Sequence, residues 1–148
     1  MKTFAARLLH WHDRHGRHDL PWQKDKSLYR VWVSEIMLQQ TQVITVIPYF
    51  ERFMQHFPDI STLAQASQDD VLLHWAGLGY YSRARNINKT ASIIVEQHQG
   101  IFPAQYDDVV TLPGIGPSTA GAILAQALDR RHAILDGNVK REIGRAHV

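Results

Sequence analysis

The sequence contains no cysteine. That excludes a disulfide framework, and it excludes thiolate-held zinc or iron–sulfur sites built from these residues. Nor is there an uninterrupted apolar run of membrane-spanning length, and the opening Met1-Lys2-Thr3-Phe4-Ala5-Ala6-Arg7 lacks the apolar core of a secretion signal. A soluble, intracellular chain with no membrane partner is expected. No segment alternates apolar and polar residues over a useful length, and there is no internal repeat or low-complexity linker, so sheet architectures and solenoids drop out. Strong charge of one sign is missing too. Sixteen basic and 14 acidic residues leave a net +2. The isoelectric point near 9.0 is too mild to argue for nucleic acid by itself.

What is present is a chain of 148 residues, 45% of them apolar, enough for one globular domain or one domain with part of a second. Phe4, Leu8, Leu9 and Trp11 form an apolar helical stripe that should end at Gly16. Tyr29 to Gln40 reads as a second helix with Val33, Ile36 and Met37 inward. The clearest stripe is Val43, Val46, Ile47, Phe50, Phe53, Met54 and Phe57, stopped at Pro58, with Pro48 inside it predicting a kink or a late start. Ser61 and Ser67 read as N-caps of two short helices, the second closing at Gly77-Leu78-Gly79. Ser82 to His98 follows with Ala84, Ile87, Ala91 and Ile94 on one face. Tyr106 to Thr111 makes a short helix and Pro117 to Leu128 a small-residue helix, with proline suited to its first turn. The class is all-α.

Charge distribution says more than net charge. No acidic residue lies between Asp70 and Glu96, where Arg83, Arg85 and Lys89 fall. A phosphate backbone would favour such a face, but on charge alone an ordinary solvated helix surface explains it better. The sharpest local signal is Leu112-Pro113-Gly114-Ile115-Gly116-Pro117-Ser118-Thr119-Ala120-Gly121. Two glycines spaced by one residue free the backbone for a tight turn, and amides at the following helix N-terminus can hold a phosphate. A connection with glycine for geometry only is the plainer alternative. Downstream stands Ile134-Leu135-Asp136-Gly137-Asn138-Val139-Lys140-Arg141, which alone reads as a turn.

The hairpin string followed about twenty residues later by that aspartate resembles the helix-hairpin-helix DNA glycosylase superfamily. The resemblance runs from about Trp11 to Arg141, and three further strings narrow it to the MutY-type adenine DNA glycosylases. These are Leu20-Pro21-Trp22-Gln23, the segment Val31-Trp32-Val33-Ser34-Glu35-Ile36-Met37-Leu38-Gln39-Gln40-Thr41-Gln42, and Gly77-Leu78-Gly79-Tyr80-Tyr81-Ser82-Arg83-Ala84-Arg85-Asn86. The implied fold is the all-α helix-hairpin-helix glycosylase fold, a six-helix barrel domain plus an incomplete second helical domain. The implied layout is an N-terminal helix at 1–20 that would pack with an iron–sulfur domain. The barrel then covers 21–135 with the hairpin at about 105–128, the catalytic aspartate segment covers 136–141, and 142–148 is an atypical tail.

The resemblance also implies a chemistry. Adenine leaves deoxyribose badly as an anion, so hydrolysis needs the base protonated and the cationic sugar stabilised, the two tasks of a carboxyl pair. Glu35 matches the family's general acid toward N7, and Asp136 the ionised carboxylate beside the sugar, with Asn138 orienting it. Burial among Ile36, Met37 and Trp32 would raise the Glu35 pKa in the required direction. Gln39, Gln40, Thr41, Gln42 and Tyr80 match positions that wedge or contact the gap left by an extruded base. Spacing alone leaves Tyr80 equally readable as a half-buried core aromatic. Arg83, Leu112, Gly114, Gly116, Ser118 and Thr119 match DNA-backbone contacts. In the endonuclease III branch the position of Ser118 carries a lysine amine nucleophile, and a serine cannot form its Schiff base, so a monofunctional hydrolase is implied.

The implied partner is double-stranded DNA with adenine opposite 8-oxoguanine or guanine, bound by a monomer. An endonuclease III-like glycosylase for oxidised pyrimidines and a non-catalytic DNA-binding module are the competing readings. The family's full-length protein carries a 4Fe-4S cluster on four cysteines, none of them here, so no cofactor is expected on these residues alone. Without that domain the first helix would expose an apolar patch, and the chain by itself is expected to be weakly stable and nearly inactive. His10, His12, His15 and His18 do not converge on one helix face and read as solvated, with no metal expected. Trp11, Trp22, Trp32 and Trp75 each sit beside an apolar helix pattern and read as core.

Overall fold

A computed structural model describes residues 20–128. The expected N-terminal helix, the four N-terminal histidines, Trp11, Asp136 and Asn138 lie outside them. Among the described residues every regular element is helical, in the order α1 (Pro21–Lys24), α2 (Leu28–Leu38), α3 (Val43–His56), α4 (Ile60–Gln65), α5 (Gln68–Trp75), α6 (Ser82–Gln97), α7 (Tyr106–Val109) and α8 (Pro117–Leu128).

Helix α2 is the centre. Tyr29, Val31, Trp32, Val33, Ser34, Ile36 and Met37 are all buried, so α2 is apolar nearly all round and needs neighbours on several sides. It packs against α3 and α8, while α6 closes over α4 and α5. Ser27 starts α2 by accepting a hydrogen bond from the Arg30 amide at 3.2 Å. The Tyr29 hydroxyl donates to the Phe57 carbonyl at 2.6 Å, pinning α2 to the end of α3.

Along α3 the predicted stripe faces inward, with Val46, Phe50, Phe53 and Met54 buried. Pro48 lies inside this helix, which starts ahead of it at Val43, so the late start read from the sequence does not occur. Pro48 and Ile44 are both exposed, and the hydrogen bond that proline removes is therefore on the solvent side, where the freed carbonyl is open to water. Trp22 meets Phe50 edge-on at 5.4 Å and Phe53 meets Trp75 at 6.2 Å, so three of the four tryptophans, Trp32 included, are core residues.

Ser67 caps α5 as expected, accepting from the Asp70 amide at 3.1 Å. Ser61 does not cap α4. That role falls to Asp59, whose carboxylate takes both the amide and the hydroxyl of Thr62 at 2.8 Å, because an ionised acceptor outcompetes a hydroxyl at a helix N-terminus.

Gly77 turns the chain between α5 and α6 with φ +99°, and a Cβ there would lie 2.1 Å from the Tyr49 hydroxyl. That hydroxyl donates to the Ala76 carbonyl at 2.7 Å. Gly77→Ala is therefore expected to destabilise the chain by roughly 2 kcal/mol, from left-handed strain plus a displaced tyrosine hydrogen bond. A lowered urea midpoint at unchanged slope is the readout.

Candidate acid site and nucleic-acid interface

Glu35 sits on α2 between buried Ser34 and Ile36 and is itself only partly exposed. Burial pushes its carboxyl pKa above the ordinary range, opposed in part by a hydrogen bond that Gln126 donates from α8. Gln126 was not legible as a partner. Its only signal is being the one amide in the otherwise small and apolar helix Pro117–Leu128.

One helical turn beyond Glu35, Gln39 ends α2 and donates from Nε2 to the Thr119 hydroxyl at 3.4 Å. Thr119 and Gln126 lie two turns apart on α8. Helices α2 and α8 are thus fastened at two points, one on the carboxyl and one on the loop after it. The C-terminal helix of the hairpin thereby sits against the candidate acid.

The loop from Gln39 to Gln42 joins α2 to α3. Gln40 is exposed with φ +58°, and Tyr80, in the loop before α6, is 59% exposed with φ +52°. Both are non-glycine residues in the left-handed region, a conformation that persists only where the surroundings enforce it. Exposure at this level sets aside the half-buried core reading of Tyr80. Thr41 is partly buried, its hydroxyl donating to the Gln39 carbonyl at 3.3 Å, while Gln42 is exposed at the start of α3.

Arg83 supplies that enforcement. Expected on a solvent-facing basic surface with Arg85 and Lys89, it is only 8% exposed. Its Nη1 donates to the carbonyls of Ile36, Met37 and Gln39 at 2.7, 3.0 and 2.6 Å, and its Nη2 to the Thr41 hydroxyl and the Gly79 carbonyl, each at 3.2 Å. The guanidinium caps the C-terminus of α2, where orphan carbonyls and the helix dipole favour a cation, and it also lies 5.3 Å over the Tyr80 ring. Its expected contact with a DNA phosphate is corrected accordingly, since both Nη atoms are committed to four main-chain carbonyls and the Thr41 hydroxyl. Arg85 and Lys89 remain exposed.

In the hairpin, Leu112 and Ile115 are 3% and 4% exposed. The expected DNA contact of Leu112 is corrected to that of an apolar foot, because its side chain points into the core. Thr90 on α6 donates to the Pro113 carbonyl at 3.0 Å and fixes the turn to the body. Gly114 has φ +82°, and a Cβ there would meet Asn86 at 3.3 Å, so both conformation and space call for glycine. Gly114, Gly116, Pro117 and Ser118 are exposed, and a Cβ on Gly116 would touch nothing, which leaves an open face beside the α8 N-terminus. First-turn amides there suit an anion.

A cavity of about 220 Å³ lies under the hairpin, lined by Trp32, Ile36, Gln39, Arg83, Asn86 and Gly114 among others. The structure thus brings together Glu35, Gln39, Thr119 and the hairpin. The loops bearing Gln40 and Tyr80 meet through Arg83.

Comparison with known proteins adds to this geometry. The family described as HhH-GPD superfamily base excision DNA repair protein matches residues 33–148. The adenine DNA glycosylase of Buchnera aphidicola subsp. Acyrthosiphon pisum is 56% identical over 138 residues, 93% of this chain and 39% of that protein. The adenine DNA glycosylase of Homo sapiens is 44% identical over 152 residues, 97% of this chain and 28% of that protein. The chain therefore spans well under half the length of these relatives. Among solved structures, a thermostable thymine-DNA glycosylase aligns with TM-score 0.71 at 20% identity, over 85% of this chain and 58% of that one. A non-covalent endonuclease III–DNA complex aligns with TM-score 0.66 at 18% identity, over 86% of this chain and 61% of that one. At such identities these structures speak for the fold alone.

Proposed function

The chain belongs to the HhH-GPD superfamily of base excision DNA repair proteins, and from that premise we propose that it is the catalytic portion of an adenine DNA glycosylase. The reaction is hydrolysis of the N-glycosidic bond of adenine mispaired with 8-oxoguanine or guanine in duplex DNA. The observation that carries this reading is the Glu35 carboxyl, held part-buried beside the hairpin helix with a raised pKa. A carboxyl whose burial favours its protonated form is what protonation of a leaving purine requires.

In this reading the hairpin amides and the exposed Arg85 and Lys89 hold the phosphate backbone while the target adenine leaves the stack. Gln40, Gln42 and Tyr80 line the gap. Glu35 gives its proton to N7, the bond from the sugar C1′ to N9 breaks with its electron pair going to the base, and the sugar becomes oxocarbenium-like. Asp136 stays ionised to stabilise that cation, with Asn138 orienting it. Water then adds to C1′ and loses a proton. Ser118 has no amine, so no Schiff base to the sugar forms at that position, which favours a monofunctional hydrolase over one with strong strand-cleaving activity. We further propose residues 21–135 as the barrel domain, an intracellular setting, and a monomer on DNA. No helix among the described residues is long and apolar enough to cross a membrane.

The 4Fe-4S cluster of full-length family members does not fit these residues, since the chain offers no cysteine, and no step runs through it. The deciding experiment takes the chain at the full length of its relatives and follows base release from duplexes with adenine opposite 8-oxoguanine, adenine opposite guanine, or thymine glycol. Release of adenine alone supports the proposal. Release from thymine glycol establishes the endonuclease III-like reading, and binding without release the non-catalytic one.

A further inference from the structure

Gln126 is an unfavourable residue for its place. Beyond its first turn, helix α8 is otherwise built of small and apolar side chains, it packs against α2, and Gln126 on it is only partly exposed. An amide withdrawn from water at a helix contact costs free energy unless it is hydrogen-bonded, whereas leucine or methionine would fill the same space and gain by burial. Packing alone therefore argues against glutamine. What the amide meets is the Glu35 carboxyl.

A carboxylate only accepts, so the amide presents Nε2, and the oxygen it holds is Oε1. Among the described residues this is the one hydrogen bond to the Glu35 carboxyl. When Glu35 is neutral, Oε1 is its carbonyl oxygen, the same bond persists, and the acidic proton stands on Oε2. Gln126 thus sorts the two oxygens into one that is held and one that gives. The contact is kept in register by Gln39 and Thr119, which tie the same two helices at 3.4 Å.

The bond changes strength as a proton is transferred. To a neutral carbonyl oxygen it is an ordinary hydrogen bond. As the proton leaves Oε2 for the purine N7, the O–H electron pair stays on the carboxyl and its charge spreads over both oxygens, so the Gln126 bond becomes charge-assisted and roughly twice as strong. An interaction that tightens toward the transition state accelerates the step, whereas one equal in both states does not. Burial favours the neutral carboxyl and Gln126 the ionised one.

We infer that Gln126 is a positioning residue for proton transfer from Glu35, leaving Oε2 as the oxygen that gives the proton and stabilising the carboxylate as it forms. This rests on the reading of Glu35 as the acid. Sequence spacing hides the pair, because the two residues belong to different helices.

The test compares Gln126→Met with the parent. Methionine resembles glutamine in length and helix propensity but has no N–H, and Gln126→Leu takes its place if that variant does not fold. In the chain at the full length of its relatives, single-turnover adenine release is followed against pH. Loss of the bond should lower the rate about tenfold on the acid side, where Glu35 is protonated in both proteins. It should also move the alkaline fall in rate to higher pH, since removing a bond to the ionised form leaves the proton more firmly held. A residue that only packs would leave that alkaline limb where it is. Independently, carbon NMR of the Glu35 carboxyl in the 148-residue chain, its signal assigned by its loss in Glu35→Gln, should titrate at higher pH in Gln126→Met. A carboxyl titration or an alkaline limb that stays in place in the folded variant overturns the inference, as does an undiminished rate on the acid side. If the parent releases no adenine while the NMR titration still moves, the reading of Glu35 as the acid fails and its pairing with Gln126 stands.

Discussion

Glu35→Gln is expected to lower the single-turnover rate of adenine release by about 10³ or more while changing mismatch affinity only a few-fold. Glutamine keeps the shape of the side chain and still accepts the hydrogen bond from Gln126, so the α2–α8 contact survives. What it lacks is a proton acidic enough to transfer. Asp136→Asn should give the same pattern by removing the charge that stabilises the sugar cation. Full activity in either variant would falsify the assignment of that residue.

The same substitution has a signature in stability that does not depend on catalysis. The folded Glu35 carboxyl has its pKa raised by burial, so the folded state binds more protons than the unfolded state between the two values. The stability this group contributes is fully present below its unfolded pKa and is lost as pH rises through its folded pKa. Above its unfolded pKa the native protein therefore bears a burial cost, only partly offset by the Gln126 hydrogen bond, that Glu35→Gln removes. Denaturant unfolding of the chain at about pH 4 and about pH 8 should show the variant gaining on the parent as pH rises. Parallel pH profiles would mean that the carboxyl is not desolvated.

Arg83→Ala carries the second large effect. The guanidinium satisfies three carbonyls at the end of α2, plus Thr41 and Gly79, and truncation strands several of these in a buried setting. A loss of roughly 3 kcal/mol or more is expected. Arg83→Lys keeps the charge but offers one nitrogen where the native fork serves two loops at once. It should retain most of the fold yet release the left-handed Gln40 and Tyr80 backbones, weakening mismatch binding at least about tenfold. A phosphate-contacting arginine would behave differently, with a shallower salt dependence of DNA affinity and little change in stability. Salt slope and unfolding midpoint together separate the two roles.

Much of this was readable in one dimension. Helical periodicity identified α2, α3 and α6 and their inward faces because burial repeats every turn, and the hairpin string located its turn because glycines at such spacing have few other uses. The helix at Pro21–Lys24 escaped notice, since four residues carry no period. Spacing points to Ser61 as a cap, but Asp59 performs that role, a choice settled by relative acceptor strength rather than by pattern. Nothing local marks Arg83 as buried, because a stretch without acidic residues looks like a solvated face whether or not one member turns inward.

What the sequence determined by itself is the set of parts: an all-helical chain, a glycine-built hairpin, a glutamate inside an apolar helix, and the family to which these strings belong. Each is a local property, written in spacing and residue type. The tertiary structure decided what each polar group meets. Gln126 reaches Glu35 and Thr119 reaches Gln39 because α8 crosses α2, and Arg83 holds two loops whose tips lie far apart along the chain. His56 meets Asp70 only because α3 and α5 pack together. Hydrogen bonds and desolvation act within a few ångströms of space, and the chain's own order leaves such distances open until the helices pack.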